Sequence, residues 1–62
     1  MFIVTIETKK YGQRVLCKDH GLVYWGTSKD DGKWIAKYPQ REAAERMAVK
    51  LGGEARHHSA AP

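Results

Sequence analysis

The stretch KWIAKYPQREAAERMAVKLGG, residues 33–53, changes its period partway along, and that change decides the fold. Its first six residues alternate, with Trp34, Ala36 and Tyr38 opposed to Lys33, Ile35 and Lys37, the pattern of a half-buried strand. Pro39 ends the pattern because it has no N–H to give a ladder, and its fixed φ suits the entrance of a helix. From Gln40 the period lengthens to about 3.6 residues. Ala43, Ala44, Met47, Ala48 and Leu51 then share one stripe, while Arg41, Glu42, Glu45, Arg46 and Lys50 point away from it. Glu42 with Arg46 and Arg41 with Glu45 stand at i,i+4 and support the helix, and Gly52 and Gly53 end it as C′ glycines do.

Upstream, the chain is written for antiparallel strands. Residues 2–8, FIVTIET, place Phe2, Val4 and Ile6 on one face and Ile3, Thr5 and Glu7 on the other. KKYG is a turn. QRVLCK alternates again, with Val15 and Cys17 opposed to Arg14, Leu16 and Lys18, and DHG supplies the positive-φ glycine of a short hairpin. LVYWGT is a third strand, SKDDG at 28–32 a longer hairpin loop, and KWIAKY the fourth strand. The expected fold is α+β: a three- or four-stranded antiparallel β-meander with one carboxy-terminal helix packed on one face. Residues 1–53 form that single domain, and 54–62 form a tail, either flexible or, at 54–57, a short edge strand.

With 62 residues, 42% of them hydrophobic, the chain has room for one small domain with a thin core. The helix stripe is made mostly of alanine, so Phe2, Val4, Ile6 and Trp34 on the sheet are expected to supply the buried area. One cysteine, Cys17, allows no internal disulfide, and together with the absence of a secretory pattern it predicts a cytoplasmic protein with no membrane span.

Eleven Lys and Arg against seven Asp and Glu give a formal charge of +4. A bias of this sign draws polyanions, nucleic acid above all, and would equally draw an acidic protein surface. If Val15, Cys17, Trp34, Ala36 and Tyr38 face the helix, the other face of the sheet carries Arg14, Leu16 and Lys18 beside Lys33, Ile35 and Lys37, with no acid among them. Lys9 and Lys10 extend this patch. Either Tyr24 or Trp25 joins it; LVYW is apolar in both registers. The functional reading is a basic sheet on phosphates with an aromatic ring to stack. The competing reading is an ordinary solvated sheet face whose lysines guard against aggregation.

Other constellations carry less chemistry. Cys17 and His20 have the spacing of half a zinc clip, but His57 and His58 are adjacent and poorly placed to complete it, so no metal site and no cofactor is predicted. Cys17 reads as a core residue and His20 as a turn residue. Asp30 and Asp31 read as turn residues, with no third acid or nucleophile beside them, and no catalytic residue is predicted. Val49 stands alone on the polar side of the helix.

The antiparallel strands whose last member turns through a short corner into REAAERMA resemble the small DNA-binding domains of the AP2 type, which are built like the amino-terminal arm-site domains of tyrosine recombinases. The resemblance covers mainly residues 34–51, with VYWGT as a weaker echo. This chain differs in an extra initial strand and in having Pro39-Gln40 where that family has a Thr or Ser cap. The resemblance implies a sheet that enters the major groove, which here corresponds to Arg14, Lys18, Lys33 and Lys37 on phosphates and Tyr24 or Trp25 for stacking. With the small size, it also implies a bacterial or phage genome. The leading expectation is therefore a non-enzymatic nucleic-acid-binding module. The alternative is a small inhibitor or adaptor that docks on an acidic partner protein. A homodimer through the first or last strand is compatible with both.

Overall fold

A computed structural model describes residues 1–27 and 31–58. The chain forms β1 (Phe2–Thr8), β2 (Gly12–Asp19), β3 (Leu22–Gly26), a 3-10 turn (Gly32–Trp34), α1 (Arg41–Leu51) and β4 (Glu54–His57). The strands make one four-stranded sheet in the order β3-β2-β1-β4, antiparallel throughout. This is the α+β arrangement that the sequence predicts, with α1 packed on one face of the sheet.

The two hairpins have local causes. Thr8 Oγ1 donates to the Gly12 carbonyl at 2.8 Å and accepts the Tyr11 N–H at 3.0 Å, which closes the first turn. The second turn is the residue pair His20-Gly21, with φ of 50° and 81°, the double positive-φ geometry whose twist matches the flanking strands. The loop predicted at 28–32 lies partly outside the described residues, which omit 28–30, and the end of the predicted tail, 59–62, lies outside them too.

Residues 33–38 are not the fourth strand of the sheet. Gly32–Trp34 coil into the 3-10 turn, with the Trp34 N–H on the Asp31 carbonyl at 2.9 Å. The segment that follows runs extended into a fork between β1 and β2. Those strands pair only through Thr5–Thr8 and Gly12–Val15, and beyond that point they separate. Within the fork the Ala36 N–H donates to the Leu16 carbonyl at 3.0 Å, and Tyr38 and Phe2 exchange N–H···O bonds at 2.8 Å. A wedge with backbone partners on both sides satisfies the peptide groups that a separate edge strand would leave half unpaired. Pro39 then releases the chain into α1.

Gly52 ends α1 at φ 77°, and the Gly53 N–H donates to the Ala48 carbonyl at 2.9 Å. A β-carbon on Gly53 would lie 2.5 Å from the Thr5 carbonyl oxygen, so only glycine allows the chain to pass this close to β1 and begin β4. The sheet is thus extended by Glu54–His57, beside β1, and β1 becomes an interior strand.

The core is a row across the fork. Val4, Ala36 and Leu16 lie side by side under Ala44 and Ala48, with Phe2, Trp25, Tyr38, Met47, Leu51 and Ala55 around them. The small helix face does admit close approach, and Val4 and Leu16 are 0% and 1% exposed. The register of β2 is nevertheless opposite to the one expected: Leu16, not Val15 or Cys17, faces the helix. Val15 and Cys17 lie on the far side and are also buried, because the segment around Asp31 and the 3-10 turn straps across them. The Cys17 thiol sits 3.9 Å from the Asp31 carbonyl, and Asp31 Oδ2 lies 2.7 Å from where a β-carbon on Gly26 would be. A strand covered on both faces carries an unbroken apolar run, here Val15-Leu16-Cys17, and such a run does not say which residue points which way.

Candidate nucleic-acid interface

Helix α1 packs on β1 and β4 and not on the β2–β3 half of the sheet, where Leu16 is buried at the margin of the core and Trp25 packs against it while the ends of the two strands lie clear of the helix. Cross-strand pairing fixes what that half displays. Leu16 opposes Trp25 and Lys18 opposes Val23, so Arg14 and Lys18 from β2 and Val23 and Trp25 from β3 project on the helix side, beyond the helix. The first turn adds to them. The Lys10 ammonium and the Arg14 guanidinium each lie 5.4 Å from the centre of the Tyr11 ring, which is itself exposed. Two cations on one ring gain modest cation–π attraction without losing their charge to a carboxylate.

Tyr11, Arg14, Trp25, Gly26, Thr27 and Asp31 line a shallow cleft at this end of the sheet. The carboxylate in it, Asp31, accepts the Thr27 N–H through Oδ2 at 3.2 Å and keeps its negative charge. The ion pairs among the described residues are Arg41 with Glu45 at 2.7 Å and Arg56 with Glu54 at 3.1 Å, and His20 Nε2 lies 3.3 Å from Asp19 Oδ1, which leaves Lys10, Arg14 and Lys18 without an acidic partner there. Glu42, Glu45 and Glu54 belong to the helix and β4, on the other half of the molecule.

The six residues predicted as a single site are therefore divided. Arg14, Lys18 and Trp25 share the helix-free half of the sheet. Tyr24 and Lys37 point to the opposite face, Tyr24 directly across from Cys17 and Lys37 in step with Ile35. Lys33 belongs to the strap, its ammonium 5.2 Å from the centre of the Trp34 ring. The division follows from the reversed register of β2 and from the wedge, which separates Lys33 and Lys37 from the strand they were expected to adjoin. Tyr11 was absent from the predicted set, although a tyrosine directly after Lys9-Lys10 is a signal of the same kind as the one that singled out Trp25.

The remaining constellations stay apart. Cys17 is buried under the strap; burial, and then the nearby charge of Asp31, push its thiol above the ordinary value of 9.0 and keep it protonated. The Tyr24 hydroxyl is raised above 10.0 by desolvation first and by Asp31 second. His20 projects from its turn with 89% of its side chain exposed, and His57 packs edge-on against Phe2 at 5.3 Å. Among the described residues no group of three or more His, Cys, Asp or Glu is placed to hold a metal ion, and no helix is long and apolar enough to cross a membrane. On the far face Arg56 Nε donates to Thr5 Oγ1 at 3.0 Å beside a cleft of about 290 Å³ that includes Ile3, Val15 and Ile35.

These features define a small α+β protein with a half-covered sheet and a cationic, aromatic-bearing end. Compared with protein-family models, curated proteins and solved structures, the chain matches none of them.

Proposed function

We propose that the protein is a non-enzymatic nucleic-acid-binding module that contacts its ligand through Lys10, Tyr11, Arg14, Lys18 and Trp25 on the helix-free half of the sheet. The observation that carries this reading is the pair of unneutralised cations on the exposed Tyr11 ring, at the mouth of a cleft walled by Trp25. Lys10, Arg14 and Lys18 meet phosphates, the exposed Tyr11 offers flat apolar surface to a base or a sugar, and Trp25, packed against the core, presents only the part of its ring that lines the cleft. On the helix and β4 side the cations stand interleaved with acids, Glu42, Glu45 and Glu54 among Arg41, Arg46, Lys50 and Arg56, and two of the acids hold ion pairs, so the cations there are less free to meet a polyanion.

The test is a titration of fluorescently labelled single-stranded and duplex DNA across a salt series. Contacts from three cations predict a log–log slope of about −2.7 for duplex and about −2.1 for single strands. Reversal of Arg14 and Lys18 to Glu is expected to weaken binding by more than about tenfold and to flatten the slope. The same reversal at Lys33 and Lys37 changes net charge equally but is expected to have only a small effect. Absence of binding at low salt, or equal losses from the two double variants, would refute the assignment.

A further inference from the structure

We propose that the free edge of β3 is a self-pairing surface, through which two copies of the chain join antiparallel about a dyad at Tyr24. This pairing stands on the sheet edge alone and does not require the nucleic-acid reading. β3 ends the sheet, and among the described residues no strand lies outside it. Edge strands are ordinarily guarded by lysine, proline or a bulge. β3 reads LVYWG, without a charge or a proline, and leaves Leu22 75%, Val23 47% and Tyr24 36% exposed. The opposite edge, β4, is guarded by the Glu54–Arg56 ion pair.

The hydrogen-bond phase of β3 selects the dyad. The Leu16 carbonyl is taken by the Ala36 N–H on the β1 side of β2, so it is turned away from β3. Leu16 and Trp25 are therefore a wide pair of that ladder, and the peptide groups of Trp25, and of Val23 two residues earlier, point to the free edge. A dyad at Tyr24 sets Val23 of each copy opposite Trp25 of the other, so that every outward N–H meets an outward C=O. A dyad at Val23 or Trp25 would leave the other of the two unpaired.

Charge permits this seam despite the net +4 of each chain. The residues opposed across it are Leu22 with Gly26, Val23 with Trp25, and Tyr24 with itself, all uncharged. The Lys18 residues of the two copies stand three strand spacings and two residues apart, about 16 Å, beyond the screening length at physiological salt. A seam five residues long buries less than a standard interface of about 1,200 Å², so the dimer is weak and concentration-dependent. Directly opposed residues of an antiparallel seam project to the same side, which puts both helices on one face. They flank a floor made of β2 and β3 from both copies, and Arg14, Lys18 and Trp25 repeat across it.

Sedimentation of the intact chain from micromolar to millimolar concentration is expected to show a mass rising toward twice the monomer. In an equal mixture of labelled and unlabelled chains, an isotope-filtered NOE is expected from Tyr24 Hα to the Trp25 amide of the other copy. Val23→Pro removes an N–H that the β2–β3 hairpin does not use and is expected to abolish the mass increase. If that variant unfolds, the NOE in the unaltered chain decides. Monomer mass throughout, an NOE pattern from another surface, or a dimer that survives Val23→Pro with the fold intact would overturn the proposal.

Discussion

Replacement of Leu16 by Ala tests the register on which the whole placement of the site depends. Leu16 is 1% exposed and faces Ala44 and Ala48, side chains too short to swing into the space it would vacate. Leu→Ala changes at such sites cost about 2.7–5.0 kcal/mol, with the larger values where the surroundings cannot collapse, so about 4–5 kcal/mol is expected here. A domain of 62 residues at about 0.05–0.15 kcal/mol per residue has only about 3–9 kcal/mol in total. At about 4–8 °C per kcal/mol, the melting temperature falls by at least about 16 °C, and at the lower end of the stability range no folded state remains. Leu22→Ala is the companion measurement: at 75% exposure it is expected to stay within about 0.5 kcal/mol of the parent. Thermal melts followed by far-ultraviolet circular dichroism, with near-ultraviolet tryptophan signals for tertiary packing, read both. If Leu16→Ala melts within a few degrees of the parent, Leu16 is on the solvent side and the reasoning fails.

Gly53→Ala should force β1 and β4 apart, since the new methyl would meet the Thr5 carbonyl oxygen at 2.5 Å. Overpacking of about 1–3 kcal/mol, less the gain of about 0.4–1 kcal/mol from a stiffer unfolded chain, predicts a lower melting temperature and faster amide exchange in β4, and an unchanged melt would contradict the close approach. Cys17 should resist iodoacetamide in the folded protein and react readily in urea, because its thiol is buried and kept protonated. The sign of its pH effect follows: the native state holds the proton more tightly than the unfolded chain, so this contribution to stability is intact below pH 9.0 and is lost as the pH rises through the higher folded value. Urea midpoints that rise between pH 9 and 10.5 would contradict it.

The elements with a single reading were the legible ones. The alanine stripe, the Pro39 entrance and the Gly52 exit leave one way to draw α1, and His20-Gly21 leaves one way to draw the second hairpin. Leu16 was not legible because its neighbours Val15 and Cys17 are as apolar as it is, and the cover over them comes from the segment around Asp31, which no local pattern announces. Residues 33–38 carry the alternation of a strand, and they are extended over their second half. Their partners, Leu16 and Phe2, are long-range, and the opening of a fork between β1 and β2 is not written in either strand. The site inherits both effects. Arg14, Lys18 and Trp25 could be picked out as a cationic and aromatic set from residue type, whereas Lys33, Lys37 and Tyr24 were grouped with them by a register that the fold reverses.

The most direct test of the account is an amide NMR titration of the labelled protein with a short oligonucleotide at low salt, with the tryptophan indole resonances followed in parallel. The predicted result is shifts concentrated at Lys10, Tyr11, Arg14, Lys18 and Trp25, fading as salt is raised. Shifts centred on Lys33, Lys37 or the helix cations Arg46 and Lys50, or a spectrum that the oligonucleotide leaves unchanged, would contradict it.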